Sequence, residues 1–399
     1  MSEADFNKVV DAFLEAQNKH IGEVIVPNVG AYPRQPGLGW YAQVFNEFVT
    51  TDLIRHYADA MGDRNPLWRS NDYARGTIWG GIVAPPTFTD SIAASWPGAG
   101  RENRVGELKF KLESALAGAR RQWFHVIRPW DKFRIVDKYL GLVERKPKQP
   151  RPYRMFIDTV QRKYINQKDE TVAVVDCRQS VLAFPSAELL AGMSGAGRKR
   201  RKLTDEERDA IYRGYDTEAR RGAQVLFWED VAVGEELKPL VVGPVSVWDV
   251  VAFFAALAGE PTAFDVLWEM LKLEPTHAYL DPEVNAWKVP GEGHFADGAG
   301  ITGSMTGGYA VAPGPQIDGL ICRMICNWMG DYGFLKMLDT QYRTVPILGD
   351  VFRSKGKVTN KSIEGDEHLV DLELYCENMD GLVLVPATAR VRLPSRTEL

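Results

Sequence analysis

The feature of this sequence that most constrains its fold is an internal repeat, because three segments of the first half recur in the same order in the second half. The matching pairs are residues 52–63 with 249–260 at a constant offset of 197, 128–134 with 345–353, and 164–186 with 375–395. Each match alone is weak, but three in one order indicate a diverged duplication. We therefore predict two copies of one structural unit.

Length and composition agree with two globular units. The chain has 399 residues, enough for two domains of about 150–200 residues each. Its 45% hydrophobic and 25% charged residues are ordinary for a globular protein, and it has no apolar run of about 18 residues that would predict a membrane span. The acidic, amphipathic first residues argue against a secretory signal, so the predicted location is cytoplasmic. A net charge of −5 argues against a nucleic-acid partner.

The cysteines predict neither a disulfide nor a metal site. Of the four, only Cys322 and Cys326 are close in sequence, and no second pair of Cys or His lies at zinc-binding spacing. Buried, reduced thiols are the expectation for such a pattern in a cytoplasmic protein.

The order of predicted elements is typical of an antiparallel sheet curled around a central helix. Periodicity predicts a helix over 3–19, a strand over 40–45, a helix that is capped by Thr51 or Asp52 and runs to Met61, and a second buried helix over 88–96. Alternating runs rich in β-formers follow at 105–114, 120–128, 131–144, 153–167 and 171–184.

A basic segment separates the two halves. Residues 198–202 are Arg-Lys-Arg-Arg-Lys, and a helix is predicted over 204–221. We interpret this segment as a solvated linker; a basic strip that receives a phosphorylated cofactor tail is the alternative. The predicted organisation is an N-terminal helix and lead-in (1–35), a first half (36–190), the linker with its helix (191–224) and a second half (225–399) with an insertion at 261–293.

The stretch 57–86 carries the residues with the most chemical content. It reads YADAMGDRNPLWRSNDYARGTIWGGIVAPP, in which Asp63 lies on a turn after an amphipathic helix and Gly80-Gly81 opens a second apolar segment. An acid on a turn near the backbone amides of a helix start is suited to acyl-group chemistry, because such amides stabilise developing negative charge.

This stretch resembles the hydratase motif of MaoC-like double hotdog proteins, especially their fatty-acid-synthase-type dehydratase N-terminal half. In the second half, GHFADGAGITG, NWMGDYGFLKML and YRTVPILGDVFRSKGKV resemble the C-terminal half of such proteins. The resemblance implies two hotdog domains joined side by side, each an antiparallel sheet around one long helix. It also implies a thioester substrate carried by coenzyme A or an acyl carrier protein, reversible addition of water across its 2,3 double bond, and no cofactor beyond the coenzyme A of the substrate.

The family motif GDxNPxH places an Asp and a His five residues apart to bind and activate the water, while a backbone amide at the start of the central helix stabilises the thioester oxygen. A base of near-neutral pKa is worth roughly 10²–10⁴-fold in rate, and a carboxylate beside it fixes its tautomer. Both halves depart from this motif. Asp63 is followed five residues on by Trp68, whose indole nitrogen only donates hydrogen bonds. Glu260, which the repeat aligns with Asp63, has no NPxH after it.

The second half offers a histidine in a similar glycine-rich turn. We predict His294 as the general base and acid, with Glu260, Asp297 or Asp63 as its carboxylate partner. An ordinary loop histidine is the alternative for His294, and a cap of its own turn is the alternative for Asp63. His56 and His125, on a predicted helix and a predicted strand, are interpreted as structural.

Candidate substrate-binding residues are mainly glycines near these turns. Gly300 and Gly303 follow His294 at a spacing similar to that of the family and are predicted to form the oxyanion site. Gly80 and Gly81 are the candidates of the first half, where tight packing is an equal alternative. Trp68 is predicted to contact the substrate.

The predicted function is therefore a hydro-lyase of the enoyl-CoA hydratase or dehydratase type with one working site, in the second half. Two alternatives stay open. One is a hotdog thioesterase, for which Asp90 is the candidate carboxylate on a central helix. The other is a degenerate acyl-CoA-binding subunit. Expected partners are an acyl thioester and either a second copy of the chain or another hotdog protein, with no metal, nucleic acid or membrane.

Overall fold

The computed structural model describes residues 2–25, 46–93, 108–146, 151–186, 188–189, 198–257, 263–273, 278–298 and 306–397. Its helices are α1 (Glu3–Asn18), α2 (Thr51–Ala60), α3 (Pro66–Arg69), α4 (Asn71–Arg75), α5 (Thr89–Ile92), α6 (Asp205–Asp216), α7 (Val247–Ala256), α8 (Phe264–Leu273) and α9 (Gly314–Met329). Its strands are β1 (Val24–Ile25), β2 (Lys111–Trp123), β3 (Arg134–Glu144), β4 (Arg154–Ile165), β5 (Thr171–Phe184), β6 (Leu240–Val242), β7 (Tyr279–Asp281), β8 (Ala286–Lys288), β9 (Phe334–Gln341), β10 (Phe352–Glu364), β11 (Glu367–Glu377) and β12 (Val383–Arg392).

One ten-stranded antiparallel sheet spans both halves of the chain. Its order is β1-β3-β4-β5-β2-β9-β12-β11-β10-β6, so first-half strands occupy one side and second-half strands the other. The sides meet where β2 pairs with β9, from Gly118 opposite Gln341 to Gln122 opposite Met337. A sheet of this kind with helices packed on it is an α+β architecture, and the predicted side-by-side joining of two hotdog units is confirmed.

Strand β2 corrects one prediction. The sequence predicted two runs, 105–114 and 120–128, where the structure has one strand that shifts register between Leu116 and Gly118. Gly118 has a φ of 122°, and a Cβ at this position would lie 2.0 Å from the carbonyl oxygen of Thr340 on β9. A glycine is needed because the junction brings the two backbones too close for a side chain. The bulge interrupts the alternation of apolar and polar residues along β2, so the sequence pattern predicted two strands where the structure has one.

Helix α9 is the central helix of the second half, and 14 of its 16 residues are buried. Its counterpart in the first half is α5, which is shorter than the helix predicted over 88–96. A 3₁₀ turn, Pro86–Phe88, leads into the single turn of α5, and Ala93 then takes extended backbone with φ −153°. No Gly or Pro stands at Ala93, so a stop signal is missing from the sequence at this end. The predicted strand over 40–45 lies outside the described residues.

The duplication is visible in matched helix caps. The Thr50 hydroxyl accepts a hydrogen bond from the N–H of Leu53 at the start of α2, and the Ser246 hydroxyl accepts one from the N–H of Asp249 at the start of α7. The caps are 196 positions apart, so the predicted offset of 197 is wrong by one residue, and so is the predicted cap at Thr51 or Asp52. Helices rich in Ala and apolar residues align almost equally well in neighbouring registers. The corrected offset no longer makes Glu260 the equivalent of Asp63.

The second repeat match is confirmed in a pair of turns. The N–H of Arg128 donates to the Asp131 carboxylate at 2.8 Å, and the N–H of Ile347 donates to the Asp350 carboxylate at 2.9 Å. The two turns precede β3 and β10, so they occupy the same place in the two halves.

A fully buried charge cluster joins the halves. Arg121 on β2 donates to Asp90 of α5 at 3.1 Å and to Asp318 of α9 at 2.6 Å, and all three side chains have no solvent exposure. The Tyr342 hydroxyl also donates to Asp318, at 2.7 Å. Burial alone would lower the pKa of Arg121, but the two carboxylates raise that pKa above its usual value, so the cation persists. Both acids follow a Val-Ala-Pro sequence, so they are equivalent positions of the repeat.

The basic segment between the halves is held by ion pairs within the chain. Arg198 binds Asp350 at 2.8 Å, and Arg201 binds Glu207 at 2.8 Å. Helix α6 begins with a capping box of Thr204 and Glu207 and ends at Asp216, before the predicted end at 221. Because these arginines already contact carboxylates, the linker interpretation is favoured over a phosphate-binding strip.

Candidate active site

In the first-half motif, the Asp63 side chain binds other residues of its own loop. Gly62, with φ 59°, turns the chain after α2, and the Asp63 side chain is 3% exposed. One carboxylate oxygen accepts the N–H of Asn65 at 2.9 Å, and the other accepts the indole N–H of Trp68 at 2.8 Å. The Asn65 side chain in turn caps α3 by accepting the N–H of Leu67 at 3.0 Å. Both oxygens of Asp63 are therefore used within the loop.

Trp68 thus occupies the place of the motif's base and binds the motif's acid. Burial raises the pKa of Asp63, while the N–H of Asn65, the Arg323 cation and the Trp68 N–H partly offset this effect. These contacts favour the interpretation of Asp63 as the cap of its own turn. Its catalytic role stays a prediction.

His294 lies beside the start of the central helix of the second half. It ends the 3₁₀ turn Pro290–His294, and its Nδ1 lies 2.9 Å from the carbonyl oxygen of Val311, just before α9. A carbonyl only accepts, so Nδ1 carries the hydrogen and Nε2 is left with its lone pair. The ring packs against Phe254, 5.3 Å between centroids, and against Phe295. Burial lowers the pKa of His294, with the Val311 carbonyl partly opposing, so the imidazole is neutral near pH 7.

Asp297, one of the predicted partners of His294, is engaged elsewhere. Its carboxylate makes a two-pronged ion pair with Arg200, at 2.6 and 2.7 Å, and accepts the N–H of Ala310 at 2.8 Å. The Arg200 guanidinium and then the Ala310 N–H lower the pKa of Asp297. This acid therefore ties the basic segment to the loop that carries His294, and its role as the histidine's partner stays a prediction.

The other predicted site residues fall into two groups. Glu260, Gly300 and Gly303 lie outside the described residues. Gly80, with φ 66°, and Gly81 are placed, and a Cβ on either would meet nothing within 4 Å. Gly80 is therefore needed for its backbone conformation and not for close packing.

The described part of the predicted insertion consists of α8 and the hairpin β7–β8, which pairs only with itself and stands outside the ten-stranded sheet. Trp268 and Trp287 are 50% and 53% exposed there. A role for this segment as a flap over an acyl group stays a prediction.

A cavity lies between the two halves, where the first-half motif faces the end of α9. Its volume is about 40 Å³ and its walls are mostly apolar. Both halves contribute side chains to it, among them Trp68, Trp79, Trp123, Met329, Asp331 and Phe334.

Asp331 is the carboxylate in the described lining of this cavity, and it is 2% exposed. One of its oxygens accepts the Tyr73 hydroxyl at 2.6 Å, and its backbone carbonyl accepts the Trp79 indole N–H at 2.7 Å. Burial raises the pKa of Asp331, and the Tyr73 hydrogen bond partly offsets this. The sequence analysis did not predict a site residue here. The available signal was an acid just after a helix C-terminus, where the helix dipole disfavours negative charge.

A polar cleft of about 360 Å³ adjoins the cavity. Trp79, His125, Val126 and Phe334 line both spaces. The exposed side chain of His125, interpreted from sequence as structural, therefore stands where the two meet. The cleft is lined further by charged side chains, including Arg128, Asp131, Lys168, Lys336, Glu367 and Arg392.

Metal-binding clusters, disulfides and membrane-spanning helices are absent from the described residues. Within them, no cluster of three His, Cys, Asp or Glu side chains has the arrangement of a metal site. All four cysteines are buried and free. Among the described helices, none combines the length and apolar character that a membrane crossing requires.

Comparison with known proteins shows what this sequence and this fold are similar to. Residues 37–175 match the family model of the FAS1-like dehydratase domain region. A protein titled MaoC-like dehydratase superposes with a TM-score of 0.60 at 17% identity, over 95% of this chain and 99% of that one. The chain therefore has the double hotdog fold, and its residues 37–175 are similar to a FAS1-like dehydratase domain region.

Other known proteins are similar to this chain. A putative MaoC domain dehydratase from Chloroflexus aurantiacus superposes with a TM-score of 0.52 at 13% identity, over 94% of this chain and 96% of that one. A conserved hypothetical protein of Mycobacterium tuberculosis with a double hotdog fold gives 0.50 at 12% identity, over 93% and 96%. A protein of Thermobifida fusca (strain YX), described as UPF0336, is 37% identical over 81 residues, 20% of this chain and 51% of its own. The chain spans about half the length of the curated relative it matches.

The thioesterase alternative depends on Asp90. In the structure Asp90 has no solvent exposure and pairs with Arg121. A thioesterase carboxylate must reach a water molecule and the thioester carbon, whereas Asp90 is committed to the buried charge cluster. The geometry therefore gives this alternative no support.

Proposed function

We propose that this chain is a hydro-lyase that adds water to, or removes it from, the 2,3 position of an acyl thioester, with His294 as the acid–base group. The family match to a dehydratase domain region supports the reaction class. The observation that carries the assignment to His294 is its position beside the start of α9, where its Nδ1 lies 2.9 Å from the carbonyl oxygen of Val311.

This geometry suits both proton transfers of a hydration. The Nε2 lone pair of His294 removes a proton from water as the water oxygen bonds to carbon 3 of the enoyl group. The electrons of the double bond move toward the thioester oxygen, and the imidazolium then returns the proton to carbon 2. The positive end of α9 stabilises the negative charge that builds up on the thioester oxygen. Atoms and charges balance without any further reactant.

The other residues of the proposed site lie outside the described part of the structure, so their roles rest on the sequence. Asp297 is held by Arg200, so we propose Glu260 as the carboxylate partner and the Gly300–Gly303 turn as the oxyanion site. The substrate is carried by coenzyme A or by an acyl carrier protein. Association of two copies, or with another hotdog protein, is part of the same proposal.

The pH dependence of hydration tests the role of His294. The base works in its neutral form, and burial lowers its pKa below the usual 6.5. Hydration of a 2-enoyl-CoA should therefore hold its rate as the pH falls through 6.5, and decline only at lower pH as the imidazole gains a proton. The measurement is kcat/KM for loss of the conjugated double bond across the acid range. An acid limb centred at or above pH 6.5 would contradict the assignment, and release of free thiol in place of hydration would contradict the reaction class.

A further inference from the structure

Asp331 is a buried carboxylate for which the described part of the chain supplies no cation. It lines the cavity between the halves and is 2% exposed. One of its oxygens accepts the Tyr73 hydroxyl, whereas the other, Oδ1, has no hydrogen-bond partner among the described residues. Burying a charge is costly unless an opposite charge and hydrogen bonds accompany it, and burial accordingly raises the pKa of Asp331. A ligand that brings a positive charge and a donor would complete this site.

The aromatic walls of the cavity also favour a cation. Trp68, Trp79 and Trp123 line it, and each indole N–H already donates to another group of the chain. These rings therefore offer a ligand their carbon surfaces, and the electron-rich faces of indole rings attract ammonium-type cations. The described lining contains no lysine or arginine that would repel such a cation. The acid and the rings thus favour the same kind of ligand.

The size of the cavity limits what this cation can be. Its volume of about 40 Å³ has room for about two or three water-sized groups, since one such group needs about 10–15 Å³ of this measure. Methylammonium has two non-hydrogen atoms, an ammonium group that donates and a methyl group that suits the apolar walls. Hard metal ions fit less well, because Mg²⁺ and Ca²⁺ take about six or more oxygen ligands and the described lining is mostly apolar.

We propose that the cavity between the halves binds a small protonated primary amine of the size of methylammonium, whose N–H donates to Oδ1 of Asp331 and whose methyl group lies among the tryptophan rings. Tyr73 orients the carboxylate by donating to its other oxygen. Both halves contribute to the walls, so the bound amine also stabilises their junction. The site does not involve His294 and does not depend on the proposed hydration.

Three probes test this proposal in the unaltered chain at constant ionic strength. Tetramethylammonium has the charge of methylammonium but is too large for the cavity, and methanol has its two heavy atoms but no charge. Methylammonium should change the tryptophan fluorescence in a saturable way, with a dissociation constant on the order of millimolar for so small a ligand, and should raise the urea midpoint. Methanol should bind at least about tenfold more weakly, because hydrogen bonds between charged groups are the stronger ones.

The same titrations can overturn the proposal. Tetramethylammonium is expected to give no saturable change. The proposal is wrong if methylammonium gives none either, if tetramethylammonium binds as well as methylammonium, or if methanol binds as tightly as methylammonium, which would indicate a site for a neutral donor such as water.

Two variants locate the site. Asp331→Asn keeps the shape of the side chain but removes its charge, so methylammonium should lose its preference over methanol. Glu367→Gln is the matched control, because Glu367 lines the neighbouring cleft and is not in the described lining of the cavity; it should bind methylammonium as the wild type does. A preserved preference in a folded Asp331→Asn chain, or its loss in Glu367→Gln, would contradict the site. Since the three probes decide the question in the wild-type chain, failure of a variant to fold leaves the test intact.

Discussion

Replacing Arg121 with methionine is expected to lower the free energy of unfolding by about 3–5 kcal/mol, the usual cost of removing one partner from a buried ion pair. The change leaves Asp90 and Asp318 facing each other without their shared cation, at a site with no solvent exposure. Because a whole domain is stabilised by only about 5–15 kcal/mol, the variant should unfold at a much lower urea concentration than the wild type. Urea unfolding followed by circular dichroism measures the effect.

Strand β2 offers a matched control in the next residue. Arg120 is exposed on the opposite face of the strand, so Arg120→Met should change the free energy of unfolding by no more than about 0.5 kcal/mol. A second check removes the charges together. Adding Asp90→Asn and Asp318→Asn to Arg121→Met should recover part of the lost stability, because no buried charge is then left unpaired. An Arg121→Met chain with the urea midpoint of the wild type would show that the cluster does not stabilise the junction of the halves.

The largest expected effect on activity is that of His294→Gln. Glutamine keeps a polar side chain of similar reach but cannot accept a proton near neutral pH, so kcat for hydration of a 2-enoyl-CoA should fall by about 10²–10⁴-fold, the usual contribution of a general base. The KM should change little, because the proposed role of His294 is in proton transfer. Steady-state kinetics at neutral pH measure both constants.

His56 provides the control for this substitution. It is exposed on α2, a helix of the first half, so His56→Gln should retain wild-type kcat and KM. Thermal unfolding of both variants checks that the His294→Gln chain is folded. A folded His294→Gln chain with full hydration activity would move the chemistry to other residues.

The architecture could be predicted because it depends on patterns that repeat. The duplication, the order of helices and strands, and the MaoC-like motif around Asp63 all lie in contiguous stretches of sequence. Trp68 in place of the motif's histidine likewise predicted a first-half site without its base, and the indole hydrogen bond to Asp63 agrees with that interpretation.

The remaining features depend on contacts between distant segments, which no local pattern records. Gly118 allows β2 to approach the backbone of β9 closely at the junction of the halves. The bulge at this glycine is the reason that the sequence predicted two strands in place of β2. Asp297 lies three residues from His294 in sequence, yet its carboxylate binds Arg200 of the linker. Asp331 ends a helix of the second half but faces the motif of the first. Sequence spacing gives proximity along the chain, whereas these side chains are placed by the packing of the two halves.

The central claim, that this chain hydrates an acyl thioester, is tested most directly by following the oxygen atom of water. The purified chain is incubated with a 2-enoyl-CoA in water enriched in heavy oxygen, and the products are analysed by mass spectrometry. The proposed function predicts an intact 3-hydroxyacyl-CoA with one heavy oxygen on carbon 3. Heavy oxygen in a free carboxylate together with released coenzyme A, or recovery of unlabelled substrate alone, would contradict it.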